Sequence, residues 1–531
     1  MAQTLTVAER LARLDPEQRA AATAPPGPIL CVAPAGSGKT STLVARIAWL
    51  VDGGADPGTI TALTFNRRAA EELTERLEAA LPEHGKSIRV RTFHALGLEI
   101  LRESGESVSP LLDRDAVLRG LIPRISLTAL RRLDTVISRF KLDLMVDPEA
   151  VAADPEAGPV AAAFVAYERA LATAGGLDFD DLVARAVRRL ETDHPVLATW
   201  RARAVHLLVD EAQDLDRMQL RMAIALASPD HRIFLVGDDD QSIYGWRLAD
   251  VRRLLSLAET SLPGLRRHDL ETNYRCPAPV VERAVRLVAH NEERFVKTIR
   301  SRPKAPGTLV LAPTQDDPTD ICGALIRSWP SDGSTRAILA RTNRELLPAV
   351  AACLTLGVPF RVRDLELPLE SPALDGLLDR VARAPDQPPV VTLARLRVAE
   401  QGDAKGIASA LLDWAPAYPD AGALRAAVTA ARDRLATLRR DDAALSLATV
   451  HGTKGLEFDH VAVIGLDAGR FPSARSIEDA EDPGRALEEE RRLAYVAWTR
   501  ARRTLTLSYD PAAPSQFLLE AFDEEELSLV A

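Results

Sequence analysis

Apolar runs of strand length alternate along the chain with longer stretches whose apolar positions recur at helical spacing, the pattern of α/β folds with parallel sheets. The strand-length runs are Pro28–Ala33, Thr59–Phe65, Arg89–Phe93, Val205–Asp210 and Arg232–Gly237, followed by Thr308–Ala312, Arg336–Arg341, Leu445–His451, His460–Gly465 and Thr504–Ser508. Two groups of about five predict two doubly wound parallel sheets. From Leu96 to about Ala198 the pattern is almost purely helical and reads as an insertion into the first sheet domain. A second helical stretch, from about Val390 to Asp442, splits the second one. It follows Ala-Pro-Asp-Gln-Pro-Pro at 384–389, a linker composition. The acidic run Asp523–Glu526 reads as a solvated end, and no short internal repeat is visible.

Composition narrows the class. With 531 residues the chain is expected to form several domains, and 47% hydrophobic with 27% charged residues is ordinary for globular proteins. Lys+Arg 66 against Asp+Glu 76 gives a net charge of -10, which excludes a protein coated with positive charge but leaves room for a local basic groove. No apolar run approaches the ~18–20 residues that span a bilayer. The first fifteen residues mix Glu9, Arg10 and Arg13 among short apolar residues, so no secretory signal is expected. Cys31, Cys276, Cys322 and Cys353 are scattered without metal-site or disulfide-framework spacing. The expectation is a soluble, reduced, cytoplasmic protein.

Candidate chemistry begins at residues 33–40, Ala-Pro-Ala-Gly-Ser-Gly-Lys-Thr, after a strand and opening the helix expected over Lys39–Val51. Small residues (Ala35, Gly36, Ser37, Gly38) let backbone N–H groups wrap a phosphate, and the helix N-terminus adds a favourable field. Lys39 would reach the β/γ-phosphates, and Thr40 would ligate Mg²⁺. The alternative is a glycine-rich turn before a helix. Residues 205–214, Val-His-Leu-Leu-Val-Asp-Glu-Ala-Gln-Asp, put two acids at the end of a buried strand, which is costly unless a cation or a reaction needs them. Asp210 fits a carboxylate near Mg²⁺, and Glu211 fits the base that activates the attacking water. An acidic pair there can also be a helix N-cap.

At this point the sequence resembles the UvrD/Rep/PcrA family of superfamily 1 helicases, through an ordered series of motifs. Leu-Asp-Pro-Glu-Gln at 14–18 is similar to its adenine-reading motif, with Gln18 the reader. Thr-Phe-Asn-Arg-Arg-Ala-Ala at 64–70 and Thr-Phe-His-Ala-Leu at 92–96 resemble its first single-strand contacts, and Asp178–Leu182 the segment closing the inserted helical domain. Asp210–Asp214 matches the hydrolysis motif, and Val236–Arg247 the motif coupling phosphate state to DNA. Asn273–Arg275, Ile338–Asn343, Thr449–Phe458 and Glu488–Arg500 complete a series running from about 14 to 508, apart from the second insertion.

The resemblance implies two RecA-like domains: 1–95 with 199–272 binding ATP, and 273–382 with 443–531. Helical insertions occupy 96–198 and 383–442. It implies that Tyr274 stacks on adenine, Gln241 senses the γ-phosphate and Glu457 holds the nucleotide sugar. Arg275 and Arg500 would come from the second domain to neutralise charge on the transferred phosphoryl. In isolation, Arg500, in a run with Arg491, Arg492, Arg502 and Arg503, reads as a solvated helix face, and Tyr274 as a core aromatic. For single-stranded DNA, aromatic residues inside polar motifs offer sequence-tolerant stacking: Trp246 beside Arg247 first, then Phe65 and Tyr244. Asn66, Arg67, His94, Arg341, Asn343, His451 and Thr453 are expected along the phosphodiester backbone, and Phe93 is balanced between DNA and core.

The pattern departs from the family twice. Only about sixty residues lie between Ala382 and Asp442, where relatives carry a large domain. After the last motif, Thr504–Phe517 leaves almost no room for the usual duplex-splitting hairpin. No nuclease domain is expected in the chain. The leading expectation is an ATP- and Mg²⁺-dependent DNA helicase or translocase, moving 3′ to 5′ on single-stranded DNA or 3′-tailed duplex, in repair, replication or recombination. The second is a DNA-stimulated ATPase motor of a larger repair or anti-phage complex with a nuclease or repair-protein partner. An ATP-binding scaffold without turnover is a third. No membrane is expected to be involved.

Overall fold

The structure, a computed structural model, describes residues 5–153, 158–363, 365, 367–400 and 402–528. It divides into two compact units, one running to Ala305 and taking in Asp482–Thr499, the other formed by Pro306–Glu481 and the chain from Arg500.

The first unit is built on β1 (Ile29–Val32), β2 (Ile60–Thr64), β3 (Arg89–Thr92), β4 (His206–Val209), β5 (Ile233–Gly237) and β6 (Arg266–Asp269). They form one sheet of order β3-β2-β4-β5-β1-β6, parallel at every pairing. Strands buried on both faces read as unbroken apolar runs, which is why β1, β2, β4 and β5 were legible. Within β1, Ile29 and Cys31 face one core while Leu30 and Val32 face the other. The edge strand β6, Arg-Arg-His-Asp, carries no apolar run and was not anticipated.

The insertion expected after residue 95 is helical, from Phe93–Glu103 through His194–Arg203, and has a small core of Leu118, Leu130, Ile137, Phe164, Tyr167 and Leu171. A π-turn at Arg139–Asp143 interrupts it and brings Lys141 inside.

Residues 273–305, and the helix Pro483–Trp498, pack with the first unit rather than with the second domain where the sequence placed them. Buried polar anchors account for this. Arg491 donates to Asn291 Oδ1 at 2.6 Å, Asn291 donates to Glu488 O at 3.1 Å, and Arg492 donates to Glu293 O at 2.7 Å. Arg491 and Arg492 are therefore buried, not a solvated face. A two-strand ladder of β7 (Thr272–Asn273) and β8 (Arg300–Ser301) holds the same segment.

The second unit has β9 (Thr308–Pro313), β10 (Arg336–Ala340), β11 (Phe360–Val362), β12 (Leu445–Thr449), β13 (Phe458–Val463) and β14 (Ala501–Tyr509) in the order β11-β12-β10-β13-β14-β9, again parallel. The three-residue edge strand β11 was also missed. Its helical insertion starts earlier than residue 383, because helix Pro372–Ala382 buries Leu374, Leu377, Leu378 and Val381 with Leu393, Ile407, Leu411, Leu424 and Val428. After β14, residues 510–514 turn directly into the helix Gln516–Ala521, so no hairpin projects there. All four cysteines are buried free thiols. Among the described residues, no helix is long and apolar enough to cross a membrane.

Gly97, in helix Phe93–Glu103, lies against helix Asp181–Thr192 so closely that a Cβ would stand 2.2 Å from Leu182 O. Gly97→Ala is expected to destabilise the first unit by about 1–3 kcal/mol, seen as an earlier urea transition. Gly120→Ala, where a Cβ meets nothing, is the control and should be neutral or stabilising. Equal transitions for the two variants would refute the packing account.

Candidate nucleotide and nucleic-acid sites

The buried strand β1 leads into the loop 33–38, and the helix Lys39–Asp52 starts at Gly38 with φ 84°. Gly36 has φ 68°, and a Cβ there would lie 2.7 Å from Asn273 Oδ1 and 2.8 Å from Arg275 Cβ. At Gly38 it would lie 2.5 Å from Gln18 Nε2. Only glycine fits both the backbone and the contacts. The Ser37 hydroxyl is buried without a hydrogen-bond partner, which suits an anion cradled at a helix N-terminus. Lys39 Nζ stands 3.4 Å from Glu211 Oε2, and Thr40 follows half-buried on the first helical turn.

Strand β4 delivers the two acids. Asp210 donates its N–H to Leu63 O at 2.8 Å and accepts the Glu211 N–H at 2.9 Å. Glu211 takes the left-handed conformation with φ 53°, a strain of ~1–3 kcal/mol that surrounding structure must hold. Burial, and then the Glu211 carboxylate, push Asp210 well above the usual carboxylate range. Gln213 ties this strand end to the next: Nε2 donates to Glu211 Oε2 at 2.6 Å, and Oε1 accepts the Asp238 N–H at 3.0 Å. Gln241 then donates to Asp238 Oδ2 at 2.6 Å. Among the described residues, no group of three or more His, Cys, Asp or Glu side chains is placed to hold a metal by itself. Thr40 and Asp210 suit an ion such as Mg²⁺, which takes few protein ligands and completes its shell with phosphate and water.

Gln18 and Asp15 form a reciprocal cap on helix Pro16–Thr23, and Gln18 Nε2 donates to Ser37 O at 2.8 Å. Tyr274 donates its N–H to Gly36 O at 2.9 Å and its hydroxyl to Asp15 Oδ2 at 2.6 Å. Its ring is 41% exposed, not a core aromatic, and burial followed by the Asp15 bond raises the phenol to about 12. Arg275 donates to Thr499 O at 3.2 Å and lies beside the phosphate loop. It belongs to the first unit, correcting the expectation that it comes from the second. Arg500 is in the second unit, fully buried, with Nη1 donating to Leu456 O at 3.1 Å; the solvated-face reading fails for it too. Glu457, also in the second unit, pairs with Arg502.

A cavity of about 890 Å³ in the first unit is lined by Phe65, Asn66, Arg67, His94, Trp246 and Arg247, among others. Phe65 stacks on Tyr244 (centroids 5.0 Å apart), Tyr244 meets Trp246 edge-on at 6.1 Å, and the Arg247 guanidinium lies 4.8 Å over Trp246. Trp246 is 56% exposed. His94 stacks on Phe179 at 4.0 Å, and burial lowers His94 to about 4, so it is neutral at physiological pH. Phe179, equally exposed, was missed as a contact. The criterion that selected Trp246, an aromatic inside a polar motif, applies to it as well. Arg114 holds the segment around Phe179, with Nη2 at 2.6 Å from both Asp178 and Asp180. Phe93 is core. Asn66 accepts the Ala69 N–H as a helix cap, and Arg67 pairs with Glu71 at the surface.

In the second unit Arg341 donates to Ser476 Oγ at 3.2 Å, Asn343 is exposed, and burial with Arg341 nearby lowers His451 to about 4. Thr453 is fully buried and its hydroxyl donates to Val450 O, so this side chain braces the turn instead of presenting a backbone contact.

Lys297 carries no local signature. Its ammonium is buried among Asp238 (3.1 Å), Asp239 and Asp240 (2.8 Å), while Arg294 makes two bonds to Asp240. Burial pushes Asp239 up, whereas Asp240, though buried, is held below its usual range by Lys297 and Arg294.

Residues 14–261 match the model of the UvrD/REP helicase N-terminal domain, and residues 426–511 that of the UvrD-like helicase C-terminal domain. The chain is 32% identical to ATP-dependent DNA helicase UvrD2 of Mycobacterium tuberculosis, across 94% of this chain and 79% of that protein. It is 28% identical to DNA helicase II of Escherichia coli, across 95% and 85%, and 28% identical to ATP-dependent DNA helicase PcrA of Leuconostoc citreum, across 91% and 80%.

Lys297→Met leaves three buried carboxylates without their ammonium, a loss expected to cost ~3–5 kcal/mol at pH 7.5. The folded pKa of Lys297 lies above its unfolded value, so its own contribution is complete and constant between pH 5.5 and 7.5. In the variant Asp239, already raised by burial, loses the ammonium that held it down and rises further, and the folded chain then binds a proton that the unfolded chain does not. The deficit should therefore shrink as pH falls towards 5.5. Urea titrations at both pH values test this, and a deficit that is absent or unchanged by acid contradicts it.

Proposed function

Since the chain belongs to the UvrD/Rep helicase family and is an ATP-dependent DNA helicase, a hydrolase, we propose that it moves 3′ to 5′ along single-stranded DNA and serves DNA repair, replication or recombination. Its nucleotide site is the one around the phosphate loop of the first unit. The observation that carries this is Glu211, held in a strained conformation at the end of β4 and 3.4 Å from Lys39 of the loop. Strain at such a position is a device of active sites rather than of plain strand ends.

Backbone N–H groups of Ala35–Thr40 and the Lys39 ammonium bind the β- and γ-phosphates. Thr40 and Asp210 would hold Mg²⁺, which supplies neutralising charge on those phosphates. Glu211 accepts the proton of the attacking water, and Gln213 aims it through the bond to Oε2. Gln241 reads the γ-phosphate, and Arg275 and Arg500 neutralise charge on the transferred phosphoryl, a contribution typically worth ~10³–10⁵ in rate. Gln18 and Tyr274 take the adenine and Glu457 the sugar. Phe65, Tyr244, Trp246 and Arg247 carry the DNA strand by stacking, with Asn66, Arg67 and His94 beside them. Within the second unit, Arg341, Asn343 and His451 are the residues proposed to contact a DNA backbone.

Polarity and self-sufficiency are tested together by comparing 3′-tailed with 5′-tailed duplexes, with ATP hydrolysis read in the same tubes. Strand release from the 3′-tailed duplex alone supports the proposal, and release from the 5′-tailed one alone overturns the polarity. DNA-stimulated hydrolysis without release indicates a motor that needs a partner to open duplex.

Glu211→Gln should retain ATP and DNA binding but lose at least ~10² in kcat. Near-normal turnover would sink the base assignment. Trp246→Ala should leave basal hydrolysis largely intact and weaken its stimulation by single strands. Full stimulation in that variant would remove Trp246 from the track.

A further inference from the structure

The loop bearing Trp246 is pinned from an unexpected direction. Gly245 donates its N–H to Glu489 Oε1 at 2.9 Å across 244 residues of sequence. A Cβ on Gly245 would lie 2.4 Å from Glu489 Oε2, so the close approach is possible only with glycine. The loop itself is a tight turn, Gly245–Arg247, which leaves through Leu248 at φ 67°. A bond at its first amide therefore sets where Trp246 and Arg247 stand.

Glu489 sits on helix Pro483–Trp498, which is anchored on Asn291 and Glu293 and whose C-terminal half lies at the nucleotide site of the same unit. Tyr495 is fully buried there, close enough to Asp238, Asp240 and the Ala35 backbone to feel all three, and the helix packs on the Asp239–Gln241 turn. At its C-terminal end Thr499 O accepts Arg275 Nη1 at 3.2 Å and the Cys276 thiol at 3.4 Å. Ten residues separate Glu489 from Thr499, about 15 Å of helix. A packed rod of that length carries a displacement at one end to the other, since packed interiors deform little.

We propose that Glu489 is a positioning residue which, through its bond to Gly245, makes hydrolysis respond to a DNA strand on Trp246, with the helix Pro483–Trp498 as the connecting rod. This rests on the reading of Trp246 as a DNA contact. The Glu489 carboxylate fixes the loop to the rod, so a strand that moves the loop also moves Thr499, Arg275 and the turn carrying Gln241. Coupling of this kind is a free energy between two sites, and removing the linker should reduce it without altering either site alone.

Steady-state hydrolysis is measured with and without single-stranded oligonucleotide, together with oligonucleotide affinity by anisotropy, on the full chain. Glu489→Ala should lower the stimulation ratio at least about tenfold, with basal kcat and oligonucleotide affinity within about threefold of wild type. Glu489→Gln keeps an acceptor oxygen and should restore most of the ratio, which a charge effect or a general loss of structure would not. Gly245→Ala should reproduce the defect from the loop side. The double variant Gly245→Ala/Glu489→Ala should be no worse than Glu489→Ala, because the clash is gone. Glu488→Ala removes the bonds to the Glu292 amide and to Arg492 instead, leaving the Gly245 bond in place, and should leave the ratio unchanged.

A normal ratio in Glu489→Ala overturns the proposal while leaving the DNA track standing. Basal and stimulated rates falling by the same factor, or an equal loss of ratio in Glu488→Ala, also overturn it, since either means general support of the helix. Absence of stimulation in the wild-type chain overturns the DNA-track reading and the proposal together, and is seen before any variant is made.

Discussion

Carboxylates taken out of water need a cation or hydrogen-bond donors, and the segments that follow β4 and β5 bury six of them: Asp210, Asp214, Asp216, Asp238, Asp239 and Asp240. Most of what surrounds the nucleotide site answers that constraint. Lys297, supported by Arg294, neutralises the group after β5 and holds it rigid. After β4, by contrast, Lys39 faces Glu211 from the phosphate loop, so the lysine that balances this end is also the one expected to bind phosphate. One acidic end is permanently closed by its own lysine. The other has a lysine proposed to serve a ligand as well, and burial raises Asp210, so a cation beside it would be needed to keep it ionised.

These ends are joined by side chains rather than by backbone alone. Gln213 bonds Glu211 with one atom of its amide and the Asp238 N–H with the other, so Glu211 and the Gln241 turn cannot shift independently. Helix Pro483–Trp498 extends the same linkage to Arg275 and to the Trp246 loop. Glycine recurs at these junctions because a neighbouring side chain occupies the space of a Cβ: Gln18 at Gly38, Asn273 at Gly36 and Glu489 at Gly245.

Features with a local signature were legible in the sequence. Most of the ten anticipated strands carry their own apolar or alternating runs, and the phosphate loop and acidic pair are contiguous motifs. What escaped depends on partners distant in the chain. The strands β6 and β11 lie at sheet edges, where polar or very short strands suffice. The division at residue 272 failed because Asn291, Glu488, Arg491 and Arg492 hold one another across some 200 residues, and charged residues in a run give no hint of burial. Lys297 is a single lysine in a polar stretch until the fold surrounds it with Asp238–Asp240. Phe179 was within reach, since it stands in an acidic motif like Trp246 in its own, but that motif was read only as the close of the inserted domain.

The proposed DNA face follows from the same electrostatics. A chain of net charge -10 has little general positive field to attract phosphodiester, and the cationic side chains nearest the groove are largely committed: Arg114 to Asp178 and Asp180, Arg67 to Glu71. His94 and His451 are kept neutral by burial and add no charge at physiological pH. What remains open is aromatic: Phe65, Tyr244, Trp246 and Phe179, with Arg247 lying over an indole. Such a surface holds bases by their faces, at about 1–3 kcal/mol each, and is indifferent to which base it meets. A motor that steps along a strand needs contacts that are equivalent at each step, and stacking provides that equivalence where base-edge hydrogen bonds would not.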